Sequence, residues 1–424
     1  MPLSRRRPVA LAAAAVALAA FIGFGLWLGP PGIVAAGAIT VLVTFVTIPA
    51  VRLRGWWRLV GAVGGLVAFV AVTLVVVKVL YGRGDPYPDR STAPLLPASA
   101  ATPLVALDYP PGNVAIAPDG RTFFNYHPFA KAERFVPITM FELVAGAPRP
   151  YPDASFSYQG VFGMTVDHQH RLWLIEPAGI DHARTRVLAI DLTTNKLAFE
   201  HWFPEGQARF AQDLRVSPDG ATVYLADTGM FQFTRPSLIV LDVATKTHRL
   251  TLATAPQIQP QDWVITTPFG PHKLAYGLIT FAVGLDGIEL SPDGAWLYLA
   301  AMSNDHLYKL PTAALHGDNI DPESQLVDLG LKPLSDGITV DRDGAVVLTD
   351  IEHGGLARSD AHGLRTLVRL PDVIWADGVV VAPDGALVFT DSAIPAYIDQ
   401  LARPPSEERL VAARPYHLYR VAPH

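Results

Sequence analysis

The sequence predicts an all-β, six-bladed β-propeller preceded by three transmembrane α-helices. Three observations predict it. A strand–turn–strand unit recurs six times between residues 112 and 391. The recurrence has the period of a propeller blade. Ahead of the first copy stand three apolar runs, in a stretch of 82 residues without one Asp or Glu.

The apolar runs are 9–28, 33–51 and 59–80. Each is close to the ~20 residues that a helix needs to cross a bilayer. Gly29, Pro30, Pro31 and Gly32 break the first from the second, and Arg52, Arg54, Trp56, Trp57 and Arg58 stand between the second and the third. Arg5, Arg6 and Arg7 precede the first run, and the loop between the first two carries no charge. The positive-inside rule then puts the N-terminus in the cytoplasm and everything after the third span outside. The expected location is a bacterial inner (plasma) membrane, with the second domain periplasmic. Domain boundaries follow as 1–82 for the anchor, 83–101 for a Pro-rich linker and 102–424 for the propeller.

Beyond residue 82 there are 26 Lys and Arg against 39 Asp and Glu, a formal charge of −13. No basic patch breaks this balance, so nucleic acid is excluded as the expected partner. The chain has no cysteine, which removes disulfides, thiolate catalysis and Cys-bound metals. No Gly-x-Ser-x-Gly elbow or Walker-type loop is present, against serine-hydrolase and nucleotide chemistry.

The six repeats are GNVAIAPDGRTFFN (112–125), FGMTVDHQHRLWLIE (162–176), QDLRVSPDGATVYLAD (212–227), DGIELSPDGAWLYLA (286–300), DGITVDRDGAVVLTD (336–350) and DGVVVAPDGALVFTD (377–391). Each is a β-rich run, a tight hairpin turn and a second run. Second hairpins lie between them, giving four strands per blade. The turns lie 41 to 50 residues apart, except for one interval of 74 that contains an insertion around 255–283. The excess of about 24 residues is too short for a blade of ~40. His417–Val421 repeats the third-strand pattern of His306–Leu310, so the last blade stops one strand short. Thr102–Leu107 resembles a fourth strand and is expected to close the ring.

First-strand starts and second-strand ends share one face, and the long loops join there. Long loops on a rigid scaffold are where binding chemistry collects. Around the axis the first-strand starts read Gly112, Phe162, Gln212, Asp286, Asp336 and Asp377. Three carboxylates from consecutive blades either raise one another's pKa or call for a cation. His127, His353, Trp375 and Tyr397 lie in loops of the same face. Ligand contacts are expected from His127, His353, Trp375 and Asp377. The Asp residues of the Pro-Asp-Gly turns are expected to serve the turns themselves.

PPGNVAIAPDGRTFFNYHPF, DGIELSPDGAWLYLAAMSNDHLYKLPTAAL, SDGITVDRDGAVVLTDIEHGGL and VIWADGVVVAPDGALVFTDS together resemble the yellow/major royal jelly protein family in its bacterial form. The resemblance runs over roughly residues 102–424. It implies a six-bladed propeller whose channel mouth binds small molecules, biogenic amines in some secreted insect members. More distantly, the chain is similar to gluconolactonase- and regucalcin-like propellers. That similarity implies one divalent cation (Ca, Zn or Mn) held by Gln212, Asp286 and Asp336, with Asp336 also the catalytic base. The chain departs from that pattern in two places: Gly112 stands where a Glu ligand is expected, and Gln212 where an Asn is. The reading is therefore a membrane-anchored propeller binding a small molecule, with a metal-dependent hydrolase of lactones or esters and a membrane-tethered protein-interaction platform as alternatives.

Overall fold

The structure is a computed structural model that describes residues 55–130, 139–179, 182–317, 321–398 and 407–423. The chain divides into two units, one of residues 1–83 with 277–279 and one of 84–276 with 280–424. In the first, helix α1 spans Trp57–Tyr81. Its stretch Val63–Tyr81 has a mean hydropathy of 2.6, and among the described residues it is the one helix long and apolar enough to cross a membrane. The expected spans 9–28 and 33–51 lie outside the described residues. Of the three expected spans, one is therefore seen as a helix.

The second unit holds six four-stranded antiparallel sheets. Blade 1 runs Pro111–Ile116, Thr122–Tyr126, Met140–Val144, Ala147–Pro150, and blade 2 Met164–Val166, Arg171–Glu176, Arg186–Asp191, Lys196–Trp202. Blade 3 runs Ala211–Val216, Thr222–Asp227, Ser237–Asp242, His248–Thr251, and blade 4 Leu285–Leu290, Trp296–Ala301, His306–Pro311, Val327–Leu331. Blade 5 runs Ile338–Val340, Val346–Asp350, Gly355–Asp360, Gly363–Arg369. Blade 6 takes Ala376–Val381, Leu387–Asp391 and Tyr416–Val421 from the end of the chain and Ala101–Leu107 from its beginning. Ala101 pairs with Val421 and Leu107 with Tyr416, so the ring closes where the repeat arithmetic leaves a strand missing.

The hairpin turns work as their sequence requires. In blade 3 the Gly220 N–H donates to the Ser217 carbonyl at 2.8 Å, and Asp219 Oδ1 accepts from the Ala221 N–H at 3.0 Å. Gly220 sits at φ +71°, a region open to glycine at no steric cost. Between blades the facing sheets bury their apolar side chains against each other. Trp173, Ile175 and Phe203 of blade 2 meet Leu214, Leu225 and Ile239 of blade 3. Leu297 and Leu299 of blade 4 meet Leu238 and Tyr224 of blade 3.

The Asp-Gly pairs at the first-strand starts set the spacing around the axis. A Cβ on Gly287 would lie 2.8 Å from the Asp336 carbonyl oxygen, and one on Gly378 would lie 2.9 Å from Asn113 Cα. Only glycine lets the next inner strand come this close. The same closeness brings the aspartates before those glycines toward one another.

The insertion after blade 3 forms no blade. It carries a short pair, Thr266–Thr267 with Gly270–Pro271, and buries Ile258, Ile265 and Phe281. The segment expected as a linker is laid along the sheets. Asp85–Pro86 pairs in parallel with Trp263–Val264 of the insertion. The Leu95 and Leu96 N–H groups donate to the Thr366 and Leu367 carbonyls of blade 5 at 3.0 and 2.9 Å.

Candidate functional site

Asp286, Asp336 and Asp377 head the inner strands of blades 4, 5 and 6. Asp286 and Asp377 are buried, at 4% and 7% exposure, and Asp336 keeps a partial opening to solvent. Burial raises all three carboxyls, and their mutual repulsion adds to it for Asp286 and Asp377. For Asp336 burial is opposed by a hydrogen bond from the Trp375 indole and reinforced by Asp213, with a net rise to about 7. The indole Nε1 donates to Asp336 Oδ2 at 2.7 Å.

Trp375 is fully buried and is held from both sides. Its backbone N–H donates to Asp391 Oδ1 at 3.0 Å, and its ring packs edge-on against Phe281 and His272 of the insertion, with centroids 6.1 and 5.8 Å apart. His272 in turn lies 4.6 Å from Phe281. Across the site the His127 ring sits 5.7 Å from both Tyr397 and Phe162. His127 Nδ1 accepts from the Phe129 N–H at 3.2 Å, which leaves the ring proton of the neutral imidazole on Nε2. Burial pushes both His127 and His272 down to about 3, so both rings are neutral at physiological pH.

Three buried polar atoms here have no hydrogen-bond partner among the described residues: Asp286 Oδ2, His272 Nε2 and Tyr397 OH. Native interiors leave few such atoms, because an unpaired polar group away from water costs free energy. They gather around three carboxylates and an aromatic wall, where water or a ligand would complete their hydrogen bonds.

The structure does not bring every expected residue into this chamber. His353 turns elsewhere: its Nδ1 is 3.0 Å from Asp350 and its Nε2 is 3.4 Å from Asp89, beside Tyr87, Arg90 and Glu352. The bond to Asp350 raises its pKa. Gln212 is half-buried, and the blade 3 side chain engaged with the next blade is that of the following residue, Asp213. Asp213 Oδ2 accepts from the Ile288 N–H at 3.2 Å and Oδ1 from the Leu214 N–H at 2.8 Å. The irregularity between Ala211 and Asp213 matches the one between Leu285 and Gly287 in blade 4, so Gln212 stands at the register position of Asp286. Arg215, two residues on, links Asp213 at 2.7 Å, Glu289 at 3.0 Å and the Ile338 carbonyl at 3.3 Å, tying blades 3, 4 and 5 across the channel.

Lys332 is a further buried titratable residue, in the segment before Asp336, that the sequence reading missed. It is wholly buried, and its Nζ donates to the Pro333 carbonyl at 3.0 Å and to Ser335 Oγ at 3.1 Å. Burial lowers its pKa to about 7, against the charges of Asp305 and Asp286. The signal available was a lysine four residues before Asp336 in an otherwise acidic neighbourhood.

The second-strand ends are occupied by structural work. Glu176 Oε1 accepts the Gln159 N–H at 2.7 Å, Asn125 Oδ1 the Asn113 N–H at 2.7 Å and Asp350 Oδ1 the His353 N–H at 3.1 Å. Of the expected cation site, Gly112 supplies no side chain and Asp336 Oδ2 accepts from the Trp375 indole. Among the described residues no group of three His, Asp or Glu is arranged to hold a metal ion.

Several solved structures are similar to this chain. A gluconolactonase from Xanthomonas campestris is 14% identical, with 76% of this chain and 88% of that one covered and a TM-score of 0.47. The calcium-binding protein regucalcin from Agrobacterium tumefaciens is 14% identical, with 78% and 96% covered and a TM-score of 0.47. A luciferin-regenerating enzyme is 12% identical, with 76% and 94% covered and a TM-score of 0.48. Likeness at this level says nothing of what this chain binds. No curated protein matches it. The model of the family described as major royal jelly protein matches residues 159–367, from the entry to blade 2 into the outermost strand of blade 5.

Proposed function

We propose that the propeller binds a small cationic organic molecule in the chamber around Asp286, Asp336 and Asp377. One observation carries this reading: three crowded carboxylates stand beside three unpartnered buried polar atoms and the rings of Trp375, His272 and Tyr397. A ligand ammonium group would relieve the repulsion and meet Asp286 Oδ2, and the ligand's body would rest on the aromatic wall. Asp336, open in part to solvent, is the carboxylate an arriving cation meets first. The direct test is calorimetric titration of the detergent-solubilised protein with phenethylamine and with the neutral phenethyl alcohol. The amine should bind more tightly, and Asp336→Asn should remove about tenfold of its affinity, ~1.4 kcal/mol. Equal affinity for amine and alcohol would overturn the reading.

A second reading has one observation in its favour. Asp336, a half-buried residue, is raised to about 7, the condition of a general base working near neutral pH. A hydrolase of lactones or esters with Asp336 activating water is the enzymatic counterpart.

For the anchor we propose that the chain is held in a bacterial inner membrane with its N-terminus inside and the propeller outside, from the six arginines at positions 5, 6, 7, 52, 54 and 58 and the apolar helix α1. Alkaline phosphatase fused after His424 should be active, and an inactive fusion alongside a fluorescent cytoplasmic one would reverse the orientation.

A further inference from the structure

We infer that the insertion between blades 3 and 4 is a membrane-surface element, which meets lipid headgroups through Phe269 and Tyr276. This rests on the reading of α1 as a membrane span, and the experiment below separates the two.

The sequence sets the segment apart. Residues 263–285 contain no Asp or Glu, in a domain with a formal charge of −13. A stretch without carboxylates avoids the repulsion that anionic headgroups exert on the rest of such a domain. The large side chains that it leaves in the open are of the kind an interface selects. Tyr276 is 79% exposed and Phe269 47%. Amphipathic aromatic rings settle at the headgroup level, with one side apolar and the other wet.

The chain holds this segment at the end of α1. Gly82 caps the helix, and a Cβ on it would lie 2.6 Å from the Leu278 carbonyl oxygen, within the unit that joins residues 277–279 to the helix. Tyr276 is the next residue of that turn, which lies between the strands Lys273–Leu274 and Ile279–Thr280. Ala275, Tyr276 and Gly277 all take positive φ, so the chain reverses tightly there. A second tether is independent of the first. Asp85 follows Tyr81, the last residue of α1, by four positions and pairs with Trp263 of the insertion. Four residues of chain reach at most about 14 Å. Where α1 leaves the bilayer, the insertion is therefore kept at its surface. Lys78 and Arg83 are exposed at the same end of the helix and supply positive charge for the headgroups.

The same insertion walls the carboxylate site. The Phe281 N–H donates to the His272 carbonyl at 3.3 Å, and the rings of these two residues are the ones packed on Trp375. The element that meets lipid is thus also a wall of the site.

The test is spin labelling of the full chain reconstituted into phosphatidylcholine–phosphatidylglycerol vesicles. The chain has no cysteine, so Tyr276→Cys, Phe269→Cys, Asp343→Cys and Val67→Cys each present a single thiol to a nitroxide. Val67 is an exposed residue of α1, and Asp343 is exposed in a hairpin turn on the face away from the first-strand starts. Collision of the label with oxygen, which concentrates in lipid, is compared with collision with a water-soluble nickel complex. The oxygen-to-nickel ratio at 269 and 276 should lie several-fold above that at 343 and approach that at 67. Low ratios at 269 and 276 beside a high one at 67 would overturn the inference and leave the span standing. A low ratio at 67 would remove the span and the inference with it. A ratio at 343 as high as that at 276 would show that the domain lies on lipid by no particular face, and would overturn the inference too.

Discussion

The Trp375 indole donates to Asp336 Oδ2 at 2.7 Å, so the residue that walls the site also tunes the Asp336 carboxylate. The bond favours the ionised form of Asp336, against the burial that disfavours it. Trp375→Phe keeps a ring against Phe281 and His272 and removes the donor. Asp336 should then be more protonated at neutral pH. Phenethylamine should bind about tenfold more weakly, ~1.4 kcal/mol, with the fold retained. Calorimetric titration checks this, and an unchanged Kd would show that the indole's role is packing alone.

Glu352 ties the insertion to blade 5, and its titration should be visible in stability. Its Oε1 accepts the Thr266 N–H at 2.7 Å. Burial raises it from 4.5 to about 7; the Thr266 N–H and His353 oppose the rise, and Asp350 and Asp89 add to it. The folded state thus holds a proton that the unfolded state has released, and stability falls as pH climbs from about 4.5 to about 7. Glu352→Gln keeps the acceptor oxygen and abolishes the titration. The variant should melt above the parent at about pH 8 and show no such advantage at about pH 5. Melting curves across that range decide it; a constant offset at every pH would mean that Glu352 does not carry the effect.

Much of this could be read in the sequence. Blade number followed from the turn spacing, and the missing strand of blade 6 from the likeness of His417–Val421 to His306–Leu310, because hairpin turns and strand patterns are local. The Asp-Gly pairs marked the axis for a steric reason: the glycines are where the next inner strand packs. The site was less legible where it depends on register or distant contact. Asp213, the residue after Gln212, reaches the Ile288 N–H of blade 4, a contact between blades that no composition reveals. His272 and Phe281 enter from an insertion with no repeat counterpart, and Lys332 from a connecting segment. His353 was placed on the right face, but its partners Asp350 and Asp89 claim it. In the turn at 341–344 the capping aspartate is Asp341, which accepts from the Ala345 N–H, rather than Asp343 of the expected Pro-Asp-Gly position.

Ring closure gives a prediction about stability. Ala101–Leu107 supplies the outer strand of blade 6, with Ala101 and Leu107 buried, and the preceding segment bonds to blade 5 through Leu95 and Leu96. A propeller beginning at Asn113 loses the strand and the segment together. Compared with one beginning at Gly84, it should melt about 10 °C lower or more, with increased dye binding at the open seam. Equal melting temperatures would show that the closing strand contributes nothing to the ring.

The remaining question between binder and enzyme turns on Asp336. In a binder its carboxylate attracts a cation and nothing is transformed, so the protein should not turn over small lactones. Asp336→Asn should then weaken phenethylamine alone and leave phenethyl alcohol where it was. In a hydrolase the same carboxyl takes a proton from water. Activity should then rise with pH through about 7 as Asp336 ionises, and Asp336→Asn should abolish it with the melting temperature preserved. The assay is hydrolysis of γ- and δ-lactones by both proteins across that pH range, with and without a chelator. We expect no turnover, because Asp336 Oδ2 is committed to the indole and the partnerless atoms around it suit the holding of a polar ligand. Turnover that follows the ionisation of Asp336 and disappears in Asp336→Asn would make the chamber an active site. Turnover equal in both proteins would put catalysis at a different residue and leave Asp336 with a binding role only.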